Sequence, residues 1–165
     1  MTHNASPLMV VAKGGIAGLA GTAVITVAMQ QGPKLLSTLG LLPAGSGSNA
    51  DQPTETLAKE VSGGVFGKQM DQESTQKAGQ AIHWGYGAMW GAIYGIVQSS
   101  IRLPHLLHGT VFGGLVATAA STLVPAMRLT PPPTKQPAIM NVMQVVYHLL
   151  YGWTTASVFR LLSKR

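Results

Sequence analysis

The chain has 165 residues, with 11 Lys and Arg against 5 Asp and Glu, and contains no cysteine. Only 10% of it is charged, where a soluble domain carries about 25%, and the acids Asp51, Glu55, Glu60, Asp71 and Glu73 all fall between positions 51 and 73. Water-facing surfaces intersperse both signs, so the balance speaks against a soluble globule. Missing cysteines exclude a disulfide scaffold, a thiolate metal site and a cysteine nucleophile, and the aliphatic content argues against disorder.

The first apolar run, Gly14 to Met29, extends back to Leu8 if Lys13 snorkels toward headgroups. No Lys or Arg precedes Leu8–Ala12, so the basic start of a secretory signal is missing and the run is read as retained. Gly14, Gly18, Thr22 and Thr26 recur every fourth residue, which gives one helix face narrow enough for a second backbone to approach. Gly32–Pro33 is expected to end this helix, Leu35–Leu42 to lie along an interface, and Pro43–Ala50 to form a flexible loop.

Residues 51–73 read as a short amphipathic excursion in water or at the interface, capped by Thr54, with Leu57 and Val61 on one face and Gly63–Gly64 as its end. Asp71 or Ser74 then starts the second apolar helix by accepting from its free amides. No charge interrupts that helix between Lys77 and Arg102, and Gly87, Gly91 and Gly95 continue a stripe headed by His83. Pro104 fits the first turn of the third helix, whose Gly109, Gly113, Ala117 and Ser121 repeat the small-residue spacing. Thr130–Pro133 is expected to be extended. Pro137 opens the last helix, where Gly152 and Ala156 follow His148 on one stripe.

These elements predict an all-α fold, a four-helix transmembrane bundle with a long, partly helical first loop. The spans cover about 9–30, 78–100, 105–127 and 138–161, and the extramembrane loop about 31–77. Short second and third loops make consecutive spans antiparallel neighbours. Lys13, Lys34, Lys77, Arg102, Arg128, Lys135, Arg160, Lys164 and Arg165 sit at or beside span ends, so lipid headgroups rather than nucleic acid are the expected counter-charge. Placing both termini in the cytoplasm puts Lys13, Arg102, Arg160, Lys164 and Arg165 inside, against Lys34, Lys77, Arg128 and Lys135 outside, and the positive-inside rule favours that orientation by one charge.

His83–Gly95, Val124–Pro133 with its three prolines, and Tyr147–Gly152 together resemble the small bacterial inner-membrane proteins related to YagU. The resemblance covers roughly the second half of the chain and rests on glycines, aromatics and two histidines. It implies a multi-pass protein of the bacterial inner membrane, with no established activity, substrate or cofactor.

His83 and His148 are the ionisable side chains well inside the spans, which makes them functional candidates. Histidine changes charge at accessible pH. With Tyr86, Tyr94, Tyr151 and Thr155 they form a candidate polar path; as plain packing residues, each imidazole would donate one bond across a helix seam. Measured from Lys77 and Lys135, the two histidines lie about 9 and 20 Å along parallel helices, which opposes direct pairing. Trp84 and Tyr86 read as interface anchors, and Met89, Trp90, Met140 and Met143 as packing or lipid-facing residues. His105 and His108 share a face but have no third ligand nearby, so neither a metal nor a cofactor is expected. Ser99, Ser100 and Ser121 stand in no nucleophile motif, and Gly14–Gly18 lacks the Lys and the strand of a phosphate loop.

The small size and the lack of a buried charge pair point to a non-enzymatic structural or accessory membrane subunit, assembled with the bilayer and with a second copy or a membrane-complex partner. Two other readings stand beside it. One is a small channel or transporter for protons or a small solute, linked to acid or ion stress and centred on His83 and His148. The other is a membrane enzyme that brings Glu55, Glu60 or Asp71 to a histidine.

Overall fold

The computed structural model of the protein describes residues 6–41, 52–67, 69–101 and 103–164. It is all-helical: α1 (Pro7–Thr38), α2 (Pro53–Phe66), α3 (Gln72–Ser100), α4 (His105–Ala126) and α5 (Ala138–Ser163), with a 3₁₀ turn at Pro133–Lys135 and no strand among the described residues. The Pro43–Ala50 loop, Asp51, Arg102 and Arg165 lie outside the described residues.

Local chemistry explains the helix ends, and it corrects three expectations. Ser6 caps α1 by accepting from the Met9 amide at 3.3 Å, with Pro7 in the first turn, where its missing N–H goes unmissed. The helix does not stop at Gly32–Pro33. It runs on to Thr38 and ends at Gly40, whose φ of 71° suits a residue without a Cβ and lets the Leu41 amide reach back to the Leu36 carbonyl. Likewise α2 starts at Pro53 after Gln52 rather than on a Thr54 cap, and it passes through Gly63–Gly64 to end at Gly67, φ 61°. Its buried residues are Ala58 and Ser62, while Val61 is exposed. Asp71 caps α3 as expected, accepting from the Ser74 amide at 2.7 Å.

Packing follows the small residues. A Cβ built at Gly18 would stand 2.8 Å from the Gly91 Cα, and one at Gly95 would stand 2.7 Å from the Val10 carbonyl oxygen, so α1 and α3 meet backbone to backbone. On α4 and α5, a Cβ at Gly109 would lie 2.9 Å from the Gly152 oxygen, and one at Gly152 would lie 2.8 Å from the Gly113 nitrogen. Both pairs are antiparallel: Val10 meets Gly95 while Thr26 meets His83, and Gly109 meets Gly152 while Ser121 meets Gln144. Helix α1 also packs on α5, because Gly21 leaves room for Tyr151 and Thr155, and Gly32 leaves room for Tyr147. The resulting order is α3, α1, α5, α4, with α2 laid on α3.

That order corrects the expected pairing of consecutive spans. Helices α3 and α4 barely approach along their backbones; aromatic rings fill the space between them. Tyr94 packs edge-on against His108, Phe112 and Phe159 at centroid distances of 5.1, 4.9 and 5.7 Å. Trp90 meets Phe112 at 6.1 Å. The reason is steric: the glycines of α3 face α1, so the face of α3 turned toward α4 carries bulk.

Two helices, α1 and α4, are long and apolar enough to cross a membrane. Helices α3 and α5 have 29 and 26 residues, but polar residues, glycines and aromatic rings dilute their hydropathy: His83, Trp84, Tyr86 and Gln98 with the Gly85–Gly95 glycines in α3, and Asn141, Gln144, His148, Thr154 and Thr155 in α5.

Two outcomes follow. Gly91→Val forces a side chain against the Gly18 backbone and should cost about 1–3 kcal/mol, as overpacking does, whereas Gly64→Ala, with open space around it, should be neutral or gain up to about 1 kcal/mol; thermal unfolding of the purified variants reads both. The Ser74 amide bond holds the Asp71 carboxyl below its usual value of 3.8. A depressed carboxylate stabilises the fold above its unfolded value and stops doing so as pH falls through the folded one. The Ser74 amide resonance should therefore titrate with a midpoint below 3.8.

Candidate functional site

Above the level where Gly87 and Tyr151 meet, α1, α3, α4 and α5 diverge around a chamber of about 430 Å³, and Gln52, Pro53 and Thr54 at the start of α2 reach its rim. Its floor is Tyr151, which crosses from α5 to donate its hydroxyl to the Gly87 carbonyl at 2.6 Å. Gly87, lacking a side chain, and Gly21 on α1 make that crossing possible.

Four of the expected path residues, His83, Tyr86, His148 and Tyr151, border this chamber. Tyr94 does not. It is fully buried beneath the floor, its hydroxyl donates to Gln98 Oε1 at 3.0 Å, and it borders a separate cavity at the other end of the bundle. Thr155 lies fully buried beside Gly21. The expected packing residues Gly14, Gly18, Gly87, Gly91 and Gly95 occupy the α1–α3 contact, and Gly109, Gly113 and Gly152 occupy the α4–α5 contact.

The axial separation expected for the histidines is corrected. Tyr151 meets Gly87 and Phe159 meets Gly95 with the same offset along the chain, so α3 and α5 run parallel and His83 is level with Tyr147, the neighbour of His148. Lys77 and Lys135 were unsound markers because they do not stand at one depth: by the same offset Lys135 is level with Asp71. The two imidazoles nonetheless make separate bonds. His83 Nε2 lies 3.2 Å from Thr26 Oγ1, and His148 Nδ1 lies 2.7 Å from the Gln144 carbonyl oxygen.

These partners favour one tautomer of each ring. With the Thr26 hydroxyl hydrogen on the Thr22 carbonyl, 2.7 Å away, the Thr26 oxygen accepts and His83 Nε2 carries the proton. A carbonyl only accepts, so His148 Nδ1 carries the proton there. The basic nitrogens are then His83 Nδ1 and His148 Nε2; both residues border the chamber, whose lining contains no Asp, Glu, Lys or Arg, and His83 also borders an adjoining cavity lined by Lys34. Trp90 Nε1 and the Tyr147 hydroxyl are buried donors without a hydrogen-bond partner among the described residues.

Sequence reasoning missed part of this lining. Trp90, Met140 and Met143 border the chamber rather than lipid, whereas Met89 is exposed on the outer surface. Tyr147, Gln144 and Ser121 also border it, with Gln144 Nε2 donating to Ser121 Oγ at 3.3 Å. A usable signal was the Gly21 and Gly32 pair, which returns to one helix face after three turns and marks a second seam on α1. The two α4 histidines part company: His108 is buried against Tyr94, and His105 accepts from Arg160 at 2.7 Å. Glu55 packs on Gly79, Asp71 is consumed as a cap, and no described carboxylate borders the chamber.

No family model, curated protein or solved structure matches the chain.

Replacing Thr26 by Val should release His83 from its single tautomer at a cost of about 0.5–1.5 kcal/mol. Imidazole nitrogen NMR would show a protonated Nε2 in the parent protein and a mixed population in the variant, with His148 unchanged.

Proposed function

We propose that the chain is a multi-pass protein of the bacterial inner membrane, related to YagU, in which α1, α3, α4 and α5 all cross the bilayer and both termini face the cytoplasm. Its chamber would admit a small neutral solute or a proton, and the protein would act as a small channel or carrier. The observation that carries this reading is the pair of hydrogen-bonded imidazoles at one level, bordering a chamber without a charged lining residue.

The outer surface supports the membrane part. Large apolar side chains stand exposed on each of the four helices, among them Val27, Ile96, Leu115 and Val142 at 59, 51, 60 and 57%. Soluble monomers rarely expose contiguous apolar surface on that scale. The polar groups that lower the hydropathy of α3 and α5 include His83, Gln144 and His148, which turn to the chamber instead of to lipid. In hydrocarbon the glycine contacts would act as GxxxG-type seams, held by close dispersion contacts because lipid offers no hydrophobic drive between helices.

The chamber supports the transport part. An ion without a counter-charge is costly there, which leaves neutral molecules and protons handed between imidazoles. Tyr151 and the Tyr94–Phe112 layer close the chamber below, so passage requires that layer to shift. An accessory role, expected from size and charge alone, gives no reason for two aligned histidines around an internal space.

Proteoliposomes test the reading. Trapped pyranine should report faster collapse of a pH gradient, or light scattering faster entry of glycerol or urea, than in protein-free vesicles. The His83→Ala/His148→Ala protein should fall to the protein-free rate. Wild-type rates equal to those of empty vesicles in both assays would overturn the proposal.

A further inference from the structure

At the end of the bundle opposite the chamber mouth, a cavity of about 550 Å³ opens between the end of α3, the start of α4 and the end of α5. Its polar residues are Gln98, His105, Arg160, Ser163 and Lys164, and no Asp or Glu borders it. All five acids of the chain lie at 51–73. Those that the structure describes stand on α2 or at the start of α3, the other end of the bundle.

Arg160 shows what that imbalance does. Among the described residues its hydrogen-bonded partner is the accepting Nδ1 of His105, at 2.7 Å, which leaves most donors of a permanently charged guanidinium for something else. Lys164 adds a second full charge on the same wall. Gln98 Oε1 is taken by the Tyr94 hydroxyl, so its amide nitrogen is the end left to donate. The arrangement is a set of donors around a space with no acceptor of matching charge, and phosphate oxygens suit it because they accept charge-assisted bonds from Arg and Lys together.

The remaining walls choose among phosphates. Leu103, Ala156 and Phe159 line the cavity, and Leu106 and Leu161 stand exposed on the outer faces of α4 and α5, at 56 and 63%. A free phosphate ion would gain nothing from them; a phosphate carrying an acyl chain would. We infer that this cavity binds the headgroup phosphate of an anionic phospholipid on Arg160 and Lys164, with an acyl chain against Leu103 and Phe159. The lipid source of the phosphate rests on the membrane reading given above; the transport reading plays no part in it.

The test uses the full chain, delipidated in an uncharged detergent and titrated with phosphatidylglycerol, phosphatidylcholine or inorganic phosphate, with bound lipid counted by native mass spectrometry. Phosphatidylglycerol should bind about tenfold more tightly than phosphatidylcholine. Arg160→Gln/Lys164→Gln should abolish that preference, while Lys34→Gln/Lys135→Gln, at the other end, should keep it. Equal binding of the two lipids by the parent protein would overturn the inference whether or not a variant folds. So would a preference surviving in the Arg160/Lys164 variant, or displacement of the lipid by equimolar inorganic phosphate, which would make the occupant a free phosphate. Carbonate washing of cell membranes separates the two failures: a chain that stays in the pellet yet shows no lipid preference disproves this inference alone, and a chain that washes off disproves the membrane reading.

Discussion

Where Gly18 meets Gly91, no side chain separates the backbones of α1 and α3, and the distance set there decides what the other helices must do. Glycines of α3 turned toward α1 leave Trp90 and Tyr94 to face α4, and α4 stands off accordingly. The opposite pair, α4 and α5, closes on its own glycines at Gly109, Gly113 and Gly152. Two tight pairs joined by α1 against α5 cannot also be tight between α3 and α4. The gap is filled by rings at the level of Tyr94 and Phe112, and it stays open higher up, where the chamber lies. The cavity is thus a geometric consequence of where the glycines sit.

Much of this architecture was legible in the chain because small residues at a spacing of four have one strong meaning in a helix. The α3 stripe at Gly87, Gly91 and Gly95 and the α4 stripe at Gly109 and Gly113 both meet another helix backbone. The partner of each stripe was not legible, since spacing says that a backbone approaches without saying whose. The expectation that chain neighbours pair failed for α3 because nothing local encodes the α1–α3 contact. Helix ends failed for a related reason. Gly32–Pro33 reads as a stop, yet a proline inside a long helix costs mainly the bond to the carbonyl four residues earlier, and packing of Gly32 against Tyr147 continues the helix.

The histidines show the same division. Their chemistry could be named from the sequence, but their common level depends on the α3–α5 register, which is fixed by Tyr151 on Gly87 and Phe159 beside Gly95. Trp90, Met140 and Met143 were assigned to packing because aromatic and thioether side chains have no polar periodicity that would set an internal cavity apart from a core. Only the packing of the helices places them around the chamber.

The uneven placement of acids ties the two ends of the molecule to different chemistry. At the chamber end the carboxylates are engaged locally: Glu73 pairs with Lys77 at 2.5 Å, an exposed contact of little energetic weight, and Asp71 is held by the Ser74 amide. Lys59 and Lys77 there have acids within the same segment, whereas Lys34, Arg128 and Lys135 do not. At the other end Arg160 and Lys164 have none among the described residues, and the guanidinium turns to an imidazole instead. A charge that finds no acid among the described residues is stabilised by what surrounds it, and on the membrane reading proposed above the anion beside this apolar outer surface is a headgroup. On the two readings proposed above, the molecule separates the end where it would meet an anion, at Arg160 and Lys164, from a chamber whose own lining carries no charged side chain.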